Sequence, residues 1–234
     1  MAGSQRVYKQ RIKSTQSLKK MFRAQELIAA SRIGKARDRT AAAAPYARAI
    51  TRAVSAVATH TTTQHPLTSE RTDTNRVAVL VVASDRGMAG AYSASIIRET
   101  ERLVERLTAE GKEVALYAAG RRAIQYYTFR GRELAGTWSY GSDAPNAEVA
   151  GEIAETLLGA FLAPAAEGGV SELHIVYTQF VNMVTQRPRV VRMLPLEVVE
   201  GVAPAGKHDV LPLYDFEPSP AAVLDALRPR CGRS

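Results

Sequence analysis

The first 58 residues of this 234-residue chain predict a helix that is too long to belong to the globule that follows it. From Ser4 to Ala58 the only glycine is Gly34 and the only proline is Pro45, and good helix formers fill most other positions. At about 1.5 Å per residue, roughly 55 residues span about 80 Å. A compact domain of this chain's length is only about 45 Å across. We therefore expect a projecting helix, kinked near Pro45, that needs a partner.

Charge separates this helix from the rest of the chain. Residues 1–52 carry thirteen Lys or Arg and two acidic residues, a balance of +11. The remaining residues carry 18 basic and 21 acidic side chains, a balance of −3, so the basic character belongs to the helix. Its possible partners are nucleic acid, an anionic membrane surface or an acidic protein surface.

Small and apolar residues recur along the helix at alternating spacings of three and four, which is typical of packing against another helix. Many of them are alanines, which favour close approach, and bulky apolar residues are too rare for a membrane-surface helix. Membrane binding is therefore the weakest of the three partner classes. A solvated basic face on a packed helix remains an alternative to a specific acidic partner. The seam consists of Tyr8, Ile12, Thr15, Phe22, Ala29, Ile33, Ala36, Thr40, Ala43, Ala47, Ile50, Val54 and Val57, interrupted by Lys19 and Glu26.

Beyond a turn-rich linker at residues 61–75, strand and helix patterns alternate through residues 76–200. This alternation predicts an α/β fold, a Rossmann-like, mostly parallel sheet with helices on both faces. Two extended segments around Thr185–Pro188 predict an antiparallel hairpin at the sheet edge. The predicted strands are Val77–Ala83, Glu113–Ala118, Glu133–Thr137 and Glu172–Thr178, and the predicted helices are a segment from Ile96 to Leu107 closed by Gly111, Arg121–Phe129 and Asn146–Leu162.

The loop that follows the first strand is the main candidate for a ligand pocket, because ligands bind at the carboxyl ends of strands in open α/β sheets. Backbone amides at the next helix could hold an anion. However, Gly87-x-x-Gly90 matches neither the dinucleotide fingerprint nor a P-loop. We therefore expect the glycines to permit a tight turn, with Asp85 and Arg86 as a loop ion pair, and we expect no catalytic or cofactor-binding residue.

Metal binding, disulfides and a membrane span are not expected. His60, His65, His174 and His208 lack ligand spacing, and Cys231 is the only cysteine. The longest apolar run is far shorter than the roughly 20 residues of a membrane span, and the basic start lacks the hydrophobic region of a signal peptide. The chain is expected in a reducing compartment, cytoplasmic or peripheral to a membrane from the cytoplasmic side.

Three stretches of the chain together resemble the γ subunit of the rotary F-type ATP synthase. The first is RIKSTQSLKK at Arg11–Lys20, continuing to ELIAASR at Glu26–Arg32, and the second is SDRGMAG at Ser84–Gly90. The third consists of Leu194–Leu196 and YDFEPS at Tyr214–Ser219. The resemblance runs from about residue 3 to residue 228.

The resemblance implies a central-stalk rotor subunit without catalytic activity and without a cofactor. In this family the N-terminal helix forms an antiparallel coiled coil with a C-terminal helix, and this coiled coil lies inside a ring of α and β subunits. The α/β domain faces the c ring and the ε subunit, on the cytoplasmic side of the cell membrane. Rotation driven by hydrogen ion transport then drives ATP synthesis at the β sites of F1. Implied contacts with the α/β ring are Arg23, Glu26, Arg32, Lys35, Asp85, Arg86, Gly87 and Gly90.

The chain departs from the family pattern at two places. Gln25 stands where the family commonly has Met, and Met21–Arg23 replaces an Ile-Thr-Lys run. After Leu227 the family continues into a long C-terminal helix, whereas this chain ends with RPRCGRS. The expectation is that residues 201–234 lack the partner helix of the shaft and that full coupling is impaired.

Two other functions stay open at the level of sequence. The basic helix could bind nucleic acid, although it lacks interleaved aromatic residues and any DNA-binding motif. The loop around Asp85 could belong to an enzyme, although no set of catalytic side chains accompanies it.

Overall fold

A computed structural model describes residues 2–60, 66–87, 89–142, 147–182 and 185–196, and the side chains of the first helix at residues 5–50 and 53. The chain divides into two compact units, residues 1–48 and residues 49–234. The predicted segment limits at residues 60, 75 and 200 stay predictions. His65, His208, Cys231 and the segment 201–234, with its expected lack of a long helix, lie outside the described residues.

Helix α1 spans Ala2–His60 as one element of 59 residues and confirms the long N-terminal helix. Pro45 lies inside it, and the kink predicted there stays a prediction. Side chains from residue 5 to residue 32 are exposed, and the seam residues Tyr8 and Phe22 are among them. Near its other end, Ile50 is buried.

The rest of the described fold is a five-stranded sheet with helices on both faces, as predicted. The strand order is β3-β2-β1-β4-β5; the first four strands are parallel, and β5 pairs antiparallel with β4. The elements are β1 Arg76–Val82, α2 Tyr92–Ala109, β2 Glu113–Ala119, α3 Arg121–Phe129, β3 Gly136–Trp138, α4 Ala147–Leu162, a short 3-10 helix at Ala165–Glu167, β4 Glu172–Phe180 and β5 Gln186–Leu194.

Alternate residues of β1 supply the cores on both faces of the sheet. Val77, Val79 and Val81 pack with α2 and α3, while Ala78 and Leu80 pack with α4. A continuous apolar run suits this strand because helices cover both of its faces. The five strands with α2, α3 and α4, called the sheet domain below, therefore have their own core, independent of any partner.

Two predicted boundaries are wrong. The third strand was expected at Glu133–Thr137, but β3 begins at Gly136. Gly131 adopts a positive φ of 66°, and the Arg132 amide donates to the Tyr127 carbonyl. These residues therefore close the C-terminal end of α3, and β3 can pair with β2 only after them.

The predicted turn at Thr185–Pro188 is also displaced. Pro188 lies inside β5 opposite Thr178, and the hairpin closes earlier, where the Val181 and Asn182 amides donate to the Thr185 carbonyl. A proline is tolerated in β5 because the edge strand of the described sheet forms a ladder on one side only. The antiparallel hairpin itself is confirmed.

Candidate functional site

Hydrogen bonds from three other parts of the domain hold the backbone of the loop after β1. The Ala83 amide donates to the Ala119 carbonyl at 2.8 Å, and the Tyr140 hydroxyl donates to the Ala83 carbonyl at 2.7 Å. One residue later, the Arg122 amide at the start of α3 donates to the Ser84 carbonyl at 3.0 Å. The end of β1 is therefore fixed to β2, to α3 and to the segment after β3.

Ser84 fixes the loop from within. Its hydroxyl donates to the Arg86 carbonyl and is also paired with the Ser93 hydroxyl of α2, each at 2.8 Å. Gly90, with φ of 56°, then allows the chain to enter α2. The loop is thus closed at both ends.

Asp85 is the central anchor of the loop. One carboxylate oxygen accepts the Arg121 amide at 2.9 Å and the Ser139 hydroxyl at 3.1 Å, and the other accepts the Ser142 amide at 2.9 Å. The Asp85 amide donates in turn to the Ser142 hydroxyl at 3.1 Å. Only 7% of Asp85 is exposed. Because Arg121 is the first residue of α3, this carboxylate also satisfies an otherwise unpaired donor at a helix N-terminus.

The environment of Asp85 favours its ionised form. Burial on its own would raise the pKa of the Asp85 carboxyl. The hydrogen bonds from the Arg121 amide, the Ser142 amide and the Ser139 hydroxyl outweigh burial and hold this pKa below its ordinary value. Burial raises the pKa of the Tyr140 phenol, so its hydroxyl stays protonated as the donor to Ala83. The anchor is therefore a charged acceptor surrounded by neutral donors.

Two glycines allow this close packing. Gly120 adopts φ of 101°, and a Cβ there would overlap the Ala83 carbonyl oxygen. At Gly87 a Cβ would overlap the Arg122 guanidinium, which lies against the loop. The side chain of Arg122 and the backbone of Gly120 therefore constrain the loop from the α3 side.

The structure divides the predicted contact residues of this loop into two groups. Arg86, Gly87 and Gly90 are exposed, whereas Asp85 is buried and its carboxylate is bound within the domain. The geometry assigns Asp85 an anchoring role in this chain. Contact of the loop with a partner stays a prediction for all four residues.

The other predicted contact residues lie on α1, and Arg23, Glu26, Arg32 and Lys35 are all exposed. A shallow depression on the helix places Arg23 and Glu26 next to seam residue Phe22. Further apolar side chains of α1 that the predicted seam omitted are exposed as well. These are Val7, Leu18, Met21, Leu27 and Ile28.

Sequence comparisons decide what kind of protein carries these two surfaces. A family model described as ATP synthase matches residues 4–233. An ATP synthase gamma chain of Beutenbergia cavernae is 69% identical over all of this chain and 78% of its own length. One from Pseudarthrobacter chlorophenolicus is 56% identical over 98% of this chain and 77% of its own length. The chain belongs to the ATP synthase gamma chain family.

Among solved structures, the central stalk and c-ring of the Tetrahymena thermophila mitochondrial ATP synthase is similar. The TM-score is 0.47 and the identity 14%, covering 76% of this chain and 70% of that one. The family assignment rests on the sequence matches alone. It gives no support to the alternative of a nucleic-acid-binding protein.

Several residues that shape the loop in this family member could not be assigned from the sequence. Ser139, Tyr140 and Ser142 follow β3, more than 50 residues after the loop, and Arg121 begins α3. The only local signal is a polar stretch directly after a strand that shares the sheet edge with β1. Their pairing with Asp85 depends on strand order, which sequence spacing does not reveal.

His174 lies in β4, as predicted, and is buried. Its Nε2 is 2.8 Å from a Glu172 carboxylate oxygen, and the other oxygen of Glu172 accepts from Lys112 Nζ at 2.6 Å. Within the described ranges, no cluster of three His, Cys, Asp or Glu side chains could hold a metal ion. Nor does any described helix combine the length and apolarity needed to cross a membrane.

Proposed function

We propose that this chain is a non-catalytic rotor subunit in the central stalk of a proton-driven ATP synthase. It transmits torque between the membrane-embedded c ring and the β catalytic sites, and it works at the cytoplasmic side of the cell membrane as a peripheral subunit. Its partners in this proposal are the α and β subunits, the ε subunit and the c ring. No cofactor takes part.

The observation that carries the proposal is α1. It is a continuous helix of 59 residues with exposed basic and exposed apolar side chains, in a chain of the ATP synthase gamma chain family. Exposed apolar side chains such as Ile12, Phe22 and Leu27 need a partner to be removed from water. A shaft surrounded by other subunits supplies such a partner.

The charge on α1 suits a bearing. Attraction between a basic helix and acidic loops acts over several ångströms and depends weakly on orientation. Such an interaction changes little as the helix turns, whereas a bidentate ion pair would favour a single angle. Arg23 and Lys35, both exposed, are the positions where we expect this attraction to act.

The loop after β1 supports the proposal in a different way. A surface that transmits torque must resist deformation under load. Arg86 and Gly87 are exposed on a loop whose inner residues, Ser84 and Asp85, are bonded to α2, α3 and the segment after β3. We expect this loop to contact a β subunit as a rigid projection.

The test is coexpression of the full chain with the α and β subunits, followed by purification through a tag on β. We expect the chain to be recovered in a stable complex and, after the remaining subunits are added, to support ATP-driven proton pumping. The double variant Arg23→Glu/Lys35→Glu should lower pumping at least tenfold, because it converts attraction into repulsion along α1.

The matched control is Arg102→Glu/Arg106→Glu on α2, which changes the net charge by the same amount. Both residues are exposed and form only surface ion pairs, with Glu99 and Glu110, and such pairs contribute little to stability. Pumping should stay within about twofold of the unchanged chain. Failure to recover any complex, or equal losses in the two double variants, would contradict the proposal.

A further inference from the structure

Helices α2 and α3 flank an open surface groove. The groove has a volume of about 700 Å³ and is lined by Ala94 and Ile97 of α2 and by Tyr126 and Phe129 of α3. Phe129 is 92% exposed, the largest fraction among the large apolar side chains of the described residues. A phenyl ring left in water forgoes the free energy of burying its apolar surface, so this position suits a contact residue.

The groove is also basic, because its lining holds two arginines against one acidic residue, Glu101, which is paired with Arg132. Arg98 and Arg122 line it from opposite helices, both are exposed, and among the described residues neither has an ion-pair partner. Other cations of α3 and the segment after it are already engaged. Arg132 pairs with Glu101 at 3.4 Å, and the Arg130 guanidinium lies 4.6 Å from the centre of the Tyr126 ring. Two guanidinium groups without an ion pair among the described residues thus lie beside apolar side chains, and that of Arg122 also lies against the loop at Gly87.

We propose that this groove is a docking surface for an acidic amphipathic helix of a partner protein. An apolar face of such a helix would cover Phe129, and carboxylates on its flanks would meet Arg98 and Arg122. Helix-in-groove recognition uses this combination of an apolar anchor and charged borders. Phe129 would be the central anchor, since aromatic residues and arginine dominate binding energy at interfaces.

The same features argue against two other occupants. Nucleic acid needs several unpaired cations along its phosphates to bind at physiological salt, and Arg98 and Arg122 are only two. Anchoring on a bilayer needs an extended exposed apolar face, whereas Phe129 is the only large apolar side chain of the groove lining that is exposed. The proposal depends on residues of α2 and α3, none of which the proposed rotor function assigns to a partner.

The experiment uses the full chain labelled with 4-fluorophenylalanine. The sequence contains five phenylalanines, of which Phe129 lies in the groove, Phe22 on α1 and Phe180 on the hairpin. Their fluorine resonances therefore report each surface separately, which matters because the basic α1 could also attract an acidic peptide. Buried Phe161 reports whether the fold is intact.

The probe is a synthetic 18-residue helix with leucine on one face and glutamate on the other. We expect the Phe129 resonance to shift saturably with this peptide and at least tenfold more weakly with a scrambled peptide of equal composition. Arg98→Glu/Arg122→Glu should weaken the Phe129 response at least tenfold. Arg102→Glu/Arg106→Glu, outside the groove lining, should leave it within twofold.

Three results would overturn the proposal. The first is a Phe129 resonance that does not move, or moves equally with the scrambled peptide. The second is an equal effect of the two double variants, which would show that only net charge matters. The third is a Phe129 shift that reaches half of its maximum at a lower concentration of duplex DNA, or of lipid in anionic vesicles, than of peptide. That result would reassign the groove to one of those partners.

Discussion

Helix α1 and strand β1 are both regular and rich in apolar residues, yet they differ completely in what surrounds them. Residues 77–81 of β1 are each 3% exposed or less, whereas Tyr8 and Leu27 of α1 are 61% and 67% exposed. The strand is stabilised by burial between helices of its own chain, at roughly 25 cal/mol for each Å² of apolar surface. The helix has no comparable source of stability within residues 5–48.

This difference separates folding from assembly. The sheet domain carries the contacts that fix its own structure, including the buried Asp85 anchor. Residues 5–48 of α1 carry propensity and pattern, and their exposed apolar side chains gain packing only from a partner. Substitutions in the domain should therefore change the stability of the chain alone, and substitutions in α1 should change mainly helix content. Trp138 is the only tryptophan and lies in β3, so its fluorescence reports the domain, while far-UV circular dichroism includes α1.

The largest effect is expected from Gly120→Ala. The positive φ of 101° strains any residue with a side chain, and the new Cβ would meet the backbone carbonyl of Ala83, which cannot move without breaking its bond to Tyr140. We expect a loss of more than about 3 kcal/mol in the free energy of unfolding. Urea unfolding followed by Trp138 fluorescence measures it.

Gly131→Ala is the matched control for this substitution. Gly131 also has a positive φ, 66°, but a Cβ there has open space. It should cost only about 1 kcal/mol, from backbone strain alone. Equal losses in the two variants would show that close approach to Ala83 contributes nothing.

Next in size is Asp85→Ala, which leaves the amides of Arg121 and Ser142 without their acceptor. We expect a loss of about 2–3 kcal/mol by Trp138 fluorescence at pH 7, and a smaller loss for Asp85→Asn, which keeps one acceptor oxygen. The pKa of Asp85 is lower in the folded chain, so its contribution is present above the unfolded pKa and is lost as pH falls through the folded one. The stability difference between the variants and the unchanged chain should therefore shrink below about pH 4. A difference that is constant with pH would contradict the anchor.

These residues show what the sequence could predict and what it could not. The apolar run of β1 and the three-and-four spacing from Ile96 to Leu107 are local patterns, and both elements form where expected. The edges of β3 and of the hairpin turn were missed, because hydrogen bonds closing α3 and the pairing of Pro188 with Thr178 set them. Boundaries of this kind depend on tertiary contacts.

The role of Asp85 illustrates the same limit at the candidate site. Its position after a buried strand indicated the functional edge of the sheet, and the loop does lie there. Whether its side chain points outward or inward depended on Ser139 and Ser142, which only the order of β1, β2 and β3 brings close. The sequence could therefore predict where the loop lies but not which of its residues are exposed.

A smaller effect is expected from His174→Gln, which keeps a donor to Glu172 but cannot titrate. Burial lowers the pKa of His174 in the folded chain, against the opposing effect of Glu172. A lowered histidine pKa means that stability is complete above the unfolded value of 6.5 and is lost as pH falls towards the folded value.

The Gln variant should therefore lose less stability than the unchanged chain between pH 7 and pH 5, as measured by urea unfolding with Trp138 fluorescence. Below about pH 4.5 both should weaken further, since the Glu172 pKa is also lowered in the folded chain, through its bonds to Lys112 and to the residue at 174. Parallel profiles from pH 7 to pH 5 would contradict a buried, neutral His174.

The smallest effect, and the most direct test of the comparison, is Gly34→Ala in α1 beside Gly159→Ala in α4. Both glycines lie in helices with open space around a new Cβ, so each alanine should favour its helix by about 1 kcal/mol. Gly159→Ala should raise the midpoint of the Trp138 thermal transition by about 2–4 °C. Gly34→Ala should increase the far-UV helix signal and leave that midpoint unchanged, because Gly34 lies in the exposed part of α1 and neither core cluster of the sheet includes a residue of that part. If Gly34→Ala moves the Trp138 midpoint as far as Gly159→Ala does, the two regions unfold as one unit, and the separation of folding from assembly is wrong.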